Sequence, residues 1–189
     1  MSLVTPTIDL EKGVLLAATP LLEDANFHRS VVLLLEHNSE GSLGVILNRS
    51  IAVDSSLLHA LPAWADDINE ESHFFGGGPG QPNALLALAP TSDSLRGGTP
   101  LNESIALLDL EATSDLRGSA LENVRFYFGY SGWSPGQLAM EIEEGAWWTF
   151  KSRTEDLFAE PHDCWREVLA RQSSAARLLA VCPDQPFMN

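Results

Sequence analysis

Ser131, in Gly129-Tyr130-Ser131-Gly132-Trp133, is the residue whose type and setting come nearest to nucleophilic chemistry. A nucleophile elbow flanks its serine with small residues so that the hydroxyl can stand clear of a sharp strand-to-helix turn. Trp133 occupies the place of that motif's second glycine, so the spacing departs from it by one feature. His28 and Asp24 are the residues that would complete a triad, which gives a hydrolase-like reading centred on His28, Arg29 and Ser131. The bland alternative is a turn serine bonded to its local backbone. Phe27-His28-Arg29-Ser30 and Asn48-Arg49 place two arginines and an asparagine at the ends of neighbouring expected strands. They would form a polar pocket or a salt-bridged loop junction, since arginines clamp carboxylates readily. The candidate ligand or partner surface is therefore Phe27, His28, Arg29, Asn48, Arg49, Tyr130, Ser131 and Trp133.

Other chemistries fail on spacing. The glycine run Gly76-Gly77-Gly78-Pro79-Gly80 lacks a following Gly-Lys-Ser/Thr, and Gln81 and Asn83 break a GxGxxG reading. It is expected to be a tight turn that brings two backbones together. His28, His37, His59, His73 and His162 show neither HxxH nor HExxH spacing, so no metal site and no cofactor are expected. Glu141, Glu143 and Glu144 read as a solvated helix face. Cys164 and Cys182 are too few for a disulfide framework and are read as free thiols.

The charge balance is uneven. There are 26 acidic residues against 11 basic ones, a net charge of −15 and a pI near 4.5, and the only lysines are Lys12 and Lys151. Affinity for nucleic acid comes from clustered Lys and Arg, and the nine arginines here are scattered singly, so direct DNA or RNA binding is not expected. No apolar run approaches the length of a membrane span, and Met1 to Lys12 lacks the basic-then-apolar order of a secretory signal. A cytoplasmic location is the resulting expectation.

The elements that must position these residues follow from apolar runs and turn signals. Gly13 to Ala18, Val31 to Glu36, Leu43 to Leu47, Leu85 to Ala89, Ser104 to Leu110, Phe126 to Tyr130, Ala146 to Phe150 and Ala176 to Cys182 read as strands. His37 to Ser42 reads as a hairpin loop and Thr91 to Asn102 as a longer loop. Asp54 caps a short helix carrying Leu57, Leu58 and Leu61, and Pro161 to Arg171 carries Trp165, Val168 and Leu169 at helical spacing. Ser134-Pro135-Gly136-Gln137 has the order of a capping box, predicting a helix from Pro135 that ends at Gly145. Gly136 in the first turn implies close packing there. Trp147 and Trp148 are adjacent, so they point to opposite faces of their strand. With hairpins early and no regular βαβ alternation, residues 1–189 read as a single α+β domain with a curved antiparallel or mixed sheet.

Leu15-Leu16-Ala17-Ala18-Thr19-Pro20, Phe27-His28-Arg29-Ser30-Val31, Gly44-Val45-Ile46-Leu47-Asn48-Arg49, Gly77-Gly78-Pro79 and Gly129-Tyr130-Ser131-Gly132-Trp133 with Pro135-Gly136-Gln137-Leu138 together resemble the YqgE/AlgH family. The set is in order and spans most of the chain. The resemblance implies a bacterial α+β domain whose strongly curved, barrel-like mixed or antiparallel sheet has several helices packed around it. It implies no established activity, although some members carry a transcriptional-regulator label. Gly77, Gly78, Pro79, Gly129, Gly132, Ser134, Pro135 and Gln137 are its structural motif. Gly80 and Ala89 stand where members often carry valine and histidine, and Ser134 where many carry glycine, so a shared catalytic histidine would be missing. The expected function is a non-enzymatic regulatory or binding protein acting through an unidentified protein or small-molecule partner. The alternatives are the hydrolase-like enzyme and the labelled transcriptional regulator. The oligomeric state is open.

Overall fold

The computed structural model describes residues 8–52, 74–91, 98–110, 122–172 and 176–180. In chain order they form β1 (Val14–Ala18), β2 (Val31–Asn38), β3 (Gly41–Ile46), β4 (Phe74–Gly76), β5 (Gly80–Pro90), β6 (Gly98–Pro100), β7 (Ile105–Leu108), β8 (Arg125–Trp133), α1 (Gln137–Glu143), β9 (Trp147–Lys151), a 3-10 turn (Thr154–Leu157), α2 (Cys164–Ala170) and α3 (Ala176–Leu179). The strands make one sheet in the order β6-β7-β5-β8-β3-β2-β1-β9, with β4 beside β8. The β4–β8 pairing is parallel and the others between strands are antiparallel.

β1 is apolar at every position because both of its faces are covered. Leu15 and Ala17 enter a central cluster, while Val14, Leu16 and Ala18 enter a second one on the opposite face. The same alternation runs through β2, with Val31, Leu33 and Leu35 central and Val32 and Leu34 opposite. The central cluster also holds Ile105 of β7 and Phe150 of β9, two strands six places apart in the sheet order. In a flat sheet they would lie about 30 Å apart, so the sheet must curl around this cluster. α2 closes it with Cys164, Trp165, Val168 and Leu169.

The ends of the curl meet at a polar seam. The Asn102 amide NH2, ahead of β7, donates to Ser152 Oγ at 2.6 Å just beyond β9, and to the Gly13 carbonyl at 3.2 Å just before β1. The Ser152 hydroxyl donates to the same Gly13 carbonyl at 2.6 Å, and the Thr154 hydroxyl to the Ser104 carbonyl at 3.3 Å. A curled, mainly antiparallel sheet is therefore the dominant layer. The expectation of several helices around it is overstated, because the helices among the described residues are few and short, at seven, seven and four residues.

Local expectations are corrected in five places. The β2–β3 hairpin turns at Ser39 and Glu40, with Asn38 opposite Gly41, so most of the expected loop is strand. β6 lies within the expected 91–102 loop. Residues from Ala176 form a helix instead of a strand, burying Ala176 and Ala180 at i,i+4 and exposing Leu178. β8 continues through Gly132 to Trp133 where a turn was expected.

α1 starts at Gln137 rather than Pro135, and only half of the capping box forms. The Ser134 backbone N–H donates to Gln137 Oε1 at 3.0 Å, without a side-chain cap from the other direction. Gly136 adopts φ +76° with open space where a side chain would go, so backbone conformation, not close packing, requires glycine. The expected stop at Gly145 holds: Gly145 N–H bonds Ile142 O, Ala146 N–H bonds Glu141 O, and φ is +83°. The helix read at Asp54, His59, His73 and Cys182 lie outside the described residues.

Candidate functional site

The sequence candidates separate into three local structures. In the first, loop residue Phe27 packs between two tryptophans, at ring-centroid distances of 6.3 Å from Trp133 and 5.4 Å from Trp147, which are themselves 6.0 Å apart and edge-on. Both indole N–H groups donate to the same carboxylate oxygen, Glu141 Oε2, at 2.9 and 2.8 Å, and the Gln137 amide donates to Oε1 at 2.9 Å. Glu141 thus pins α1 to the sheet. The solvated-face reading holds for Glu143 and Glu144, which are exposed, but not for Glu141. Trp148 points to the other face and packs half-buried against the central cluster, as the adjacency of the pair requires.

In the second, the Asn48 side chain donates to the Arg29 carbonyl and accepts the Val31 N–H, both at 2.9 Å. It locks the loop onto β2 although Arg29 has φ 52°, a conformation that non-glycine residues adopt at a cost. The Arg29 guanidinium lies 5.1 Å from the centroid of Trp165, whose indole N–H donates to the Ala18 carbonyl. This is a junction between loop, sheet and helix. His28 is exposed on that loop, and Arg49 uses its carbonyl to accept the Gly76 N–H at 2.8 Å.

The third is a backbone crossing. β4 runs along one edge of β8, and the chain then passes over β8 through Gly77, Gly78 and the exposed Pro79 to pair as β5 on the other edge. A Cβ on Gly129 would stand 2.7 Å from the Gly78 carbonyl and 2.9 Å from that of Gly80, so the expected close backbone approach is present. Gly129 has φ +73° and also changes the facing of β8 by one residue. Before it the odd-numbered Tyr127 enters the central cluster; after it the even-numbered Tyr130 does, and Trp133 joins the opposite face. Gly132 is exposed with ordinary backbone angles. Ser131 is 1% exposed and its hydroxyl donates to the Gly77 carbonyl at 3.3 Å. That is the turn-type serine bond, made here across strands.

Two further ionisable groups are sealed in. Burial, reinforced by the negative charges of Asp156 and Glu167, pushes the Cys164 thiol up to about 12. Burial also raises Tyr127, whose hydroxyl has no hydrogen-bond partner among the described residues. Asp156 is 4% exposed and is held by the Arg171 guanidinium and by the Arg153 N–H.

A cleft of about 520 Å³ lies between Ser50–Ala52, the sheet residues Phe75 and Arg125, and the segment Leu157–His162. Phe75 stacks on Tyr127, and the Arg125 guanidinium lies 4.5 Å from the Phe158 ring centroid, so an aromatic floor adjoins a cationic wall. Of the sequence candidates, none lines this cleft. Trp133 lines a smaller cavity of about 190 Å³ at the β2–β3 hairpin, and a third, of about 290 Å³, lies at the seam. Sequence reasoning missed Arg125 and Phe158 because nothing in the order of residues brings position 125 to position 158. The Gln137–Glu141 i,i+4 pair was a readable signal for the indole clamp.

An AlgH-like family model matches residues 15–177 of the chain. A UPF0301 protein of Streptomyces avermitilis is 45% identical over 185 residues, covering 94% of each chain. One of Thermobifida fusca is 38% identical over 189 residues, with the same coverage. Among solved structures, a Corynebacterium diphtheriae protein superposes with a TM-score of 0.81 at 25% identity, covering 94% of this chain and 95% of its own. The solution structure of the AlgH protein from Pseudomonas aeruginosa superposes at 0.67 with 28% identity, covering 98% and 100%.

Proposed function

The chain belongs to the AlgH-like family, and from that premise we propose that it is a non-enzymatic, single-domain cytoplasmic binding protein that takes a small amphipathic ligand in the cleft beside Arg125 and Phe158. The observation that carries the reading is the contrast between that cleft and the reactive groups. A volume of about 520 Å³ lies in the range of small-molecule sites, and its lining combines apolar side chains with Arg125, Glu160 and His162. Ser131 is buried and committed to a carbonyl, and the Cys164 thiol is buried and held protonated. Among the described residues, no group of three or more His, Cys, Asp or Glu is arranged to hold a metal. No described helix is long and apolar enough to cross a membrane. A net charge of −15 opposes a direct DNA-binding role.

The test is titration with anilinonaphthalene sulfonate, an amphipathic probe, of the wild type and of Ala159→Trp, which narrows the cleft. One saturable site that weakens in the variant while the urea midpoint is kept supports the reading. Equal binding in both, or no saturable binding, removes it. Labelling by an active-site serine probe that disappears in Ser131→Ala would favour the hydrolase-like reading, and a salt-dependent gel shift would favour direct DNA binding.

A further inference from the structure

The chain contains two lysines, at positions 12 and 151, and both line the same cavity of about 290 Å³. That cavity lies on the seam where the two ends of the curled sheet meet, against the Asn102–Ser152–Gly13 network. Lys12 donates to the Pro100 carbonyl at 2.9 Å, which tethers it across the seam to β6. Lys151 is the last residue of β9, and its place there is set by the β1 ladder, where it is opposite Val14.

Carboxylates outnumber basic groups more than twofold, yet neither lysine ammonium is paired with one among the described residues. Glu11 and Glu103 lie at the same cavity, exposed, without forming an ion pair to either lysine. The half-buried Ser104 lines the same wall, with its N–H donating to Asn102 and its carbonyl accepting from Thr154. Two ammonium groups, neither in an ion pair among the described residues, and a serine around one small cavity form a donor set that fits a compact anion with two charges. The acceptor capacity of the Asn102 side chain is already taken by the Ser104 and Ile105 N–H groups, so the floor is organised before a ligand arrives.

We infer that the seam cavity is a binding site for a small dianion, a phosphate monoester or a dicarboxylate, held between Lys12 and Lys151 with the Ser104 hydroxyl as a third donor. Bound there, the anion bridges the two ends of the sheet. The flanking Glu11 and Glu103 disfavour larger polyanions, and added salt screens both the attraction of the two lysines and the repulsion of the acidic chain.

The test is titration of the full chain, labelled for amide NMR, with inorganic phosphate and separately with succinate, the ionic strength being held constant with sodium chloride. The expected result is saturable shifts at Lys12, Gly13, Ser104, Lys151 and Ser152. In the Lys12→Met, Lys151→Met double variant the dissociation constant should rise about tenfold or more, as expected for losing charge-assisted hydrogen bonds. Lys151→Arg should retain binding. Both lysines are exposed, so the urea midpoint of these variants should stay near that of the wild type and separate lost binding from lost folding. Binding of phosphate alone points to phosphate esters, of succinate alone to dicarboxylates, and of both to dianions generally. The inference is overturned by absence of saturation up to about 50 mM of either anion, by equal affinity in the double variant, or by shifts confined to the Arg125–Phe158 cleft.

Discussion

Replacing Asn102 by alanine should open the seam of the curled sheet, and its cost can be worked from four hydrogen bonds. Oδ1 accepts the Ser104 N–H at 2.8 Å and the Ile105 N–H at 2.9 Å. Ile105 is fully buried, so its orphaned N–H has no water to turn to, which costs about 1–3 kcal/mol. The half-buried Ser104 recovers a water, and its loss is smaller. The amide NH2 bonds to Ser152 Oγ and to the Gly13 carbonyl add about 1 kcal/mol, because Ser152 still satisfies that carbonyl. The total is about 3 kcal/mol, which for a chain of this size lowers Tm by about 6–12 °C. Urea unfolding followed by far-UV circular dichroism gives the free energy, and a thermal scan gives the shift. Asn102→Asp keeps the oxygen that accepts both N–H groups and should lose about 1 kcal/mol. A cycle with Ser152→Ala should show a coupling of about 0.5–1.5 kcal/mol. A loss below about 1 kcal/mol for Asn102→Ala, together with additive behaviour against Ser152→Ala, would refute the assignment of the seam to these side chains.

Three other outcomes are expected. Gly129→Ala, which combines φ +73° with two backbone carbonyls inside contact distance, should cost more than about 3 kcal/mol, whereas Gly136→Ala, at φ +76° in open space, should cost about 1 kcal/mol; paired urea titrations decide it. Glu141→Leu leaves the indole N–H groups of buried Trp133 and Trp147 without their acceptor and should cost about 2–4 kcal/mol with a changed tryptophan emission spectrum, while Glu141→Gln keeps an acceptor and costs less. At high pH the unfolded chain releases the Cys164 proton near pH 9 while the native chain keeps it to about 12. Stability should therefore fall across that window by up to about 1.4 kcal/mol per pH unit, and the raised Tyr127 acts in the same direction. Urea midpoints against pH should show a shallower decline for Cys164→Ala, and an unchanged slope would count against the burial argument.

Burial patterns along single strands were legible because they are local. The all-apolar run at 14–18 announced a buried strand, and the adjacency of Trp147 and Trp148 required opposite facing in any fold. The glycines of 76–80 announced a close backbone approach because a side chain at Gly77 or Gly78 would meet β8, and Gly145 a helix end because its positive φ suits glycine. The 176–180 segment misled because an apolar run of that length has no period long enough to separate strand from helix; its helical choice shows only in which residues are buried.

Side-chain partnerships across the sheet were not legible. Ser131 looked like a nucleophile until the crossing strand placed the Gly77 carbonyl over it, and Glu141 looked solvated until β8 and β9 brought two indoles to one oxygen. The sequence by itself determined the family, most of the strands, and the acidic charge with its two lysines, since these depend on residue order and count alone. Only the tertiary structure decided that Phe75, Arg125 and Phe158 share a cleft and that Lys12 and Lys151 share the seam. The β1–β9 ladder brings the two lysines together and the curl of the sheet brings Asn102 and Ser104 against them, and curvature is a collective property of packing that no single stretch encodes.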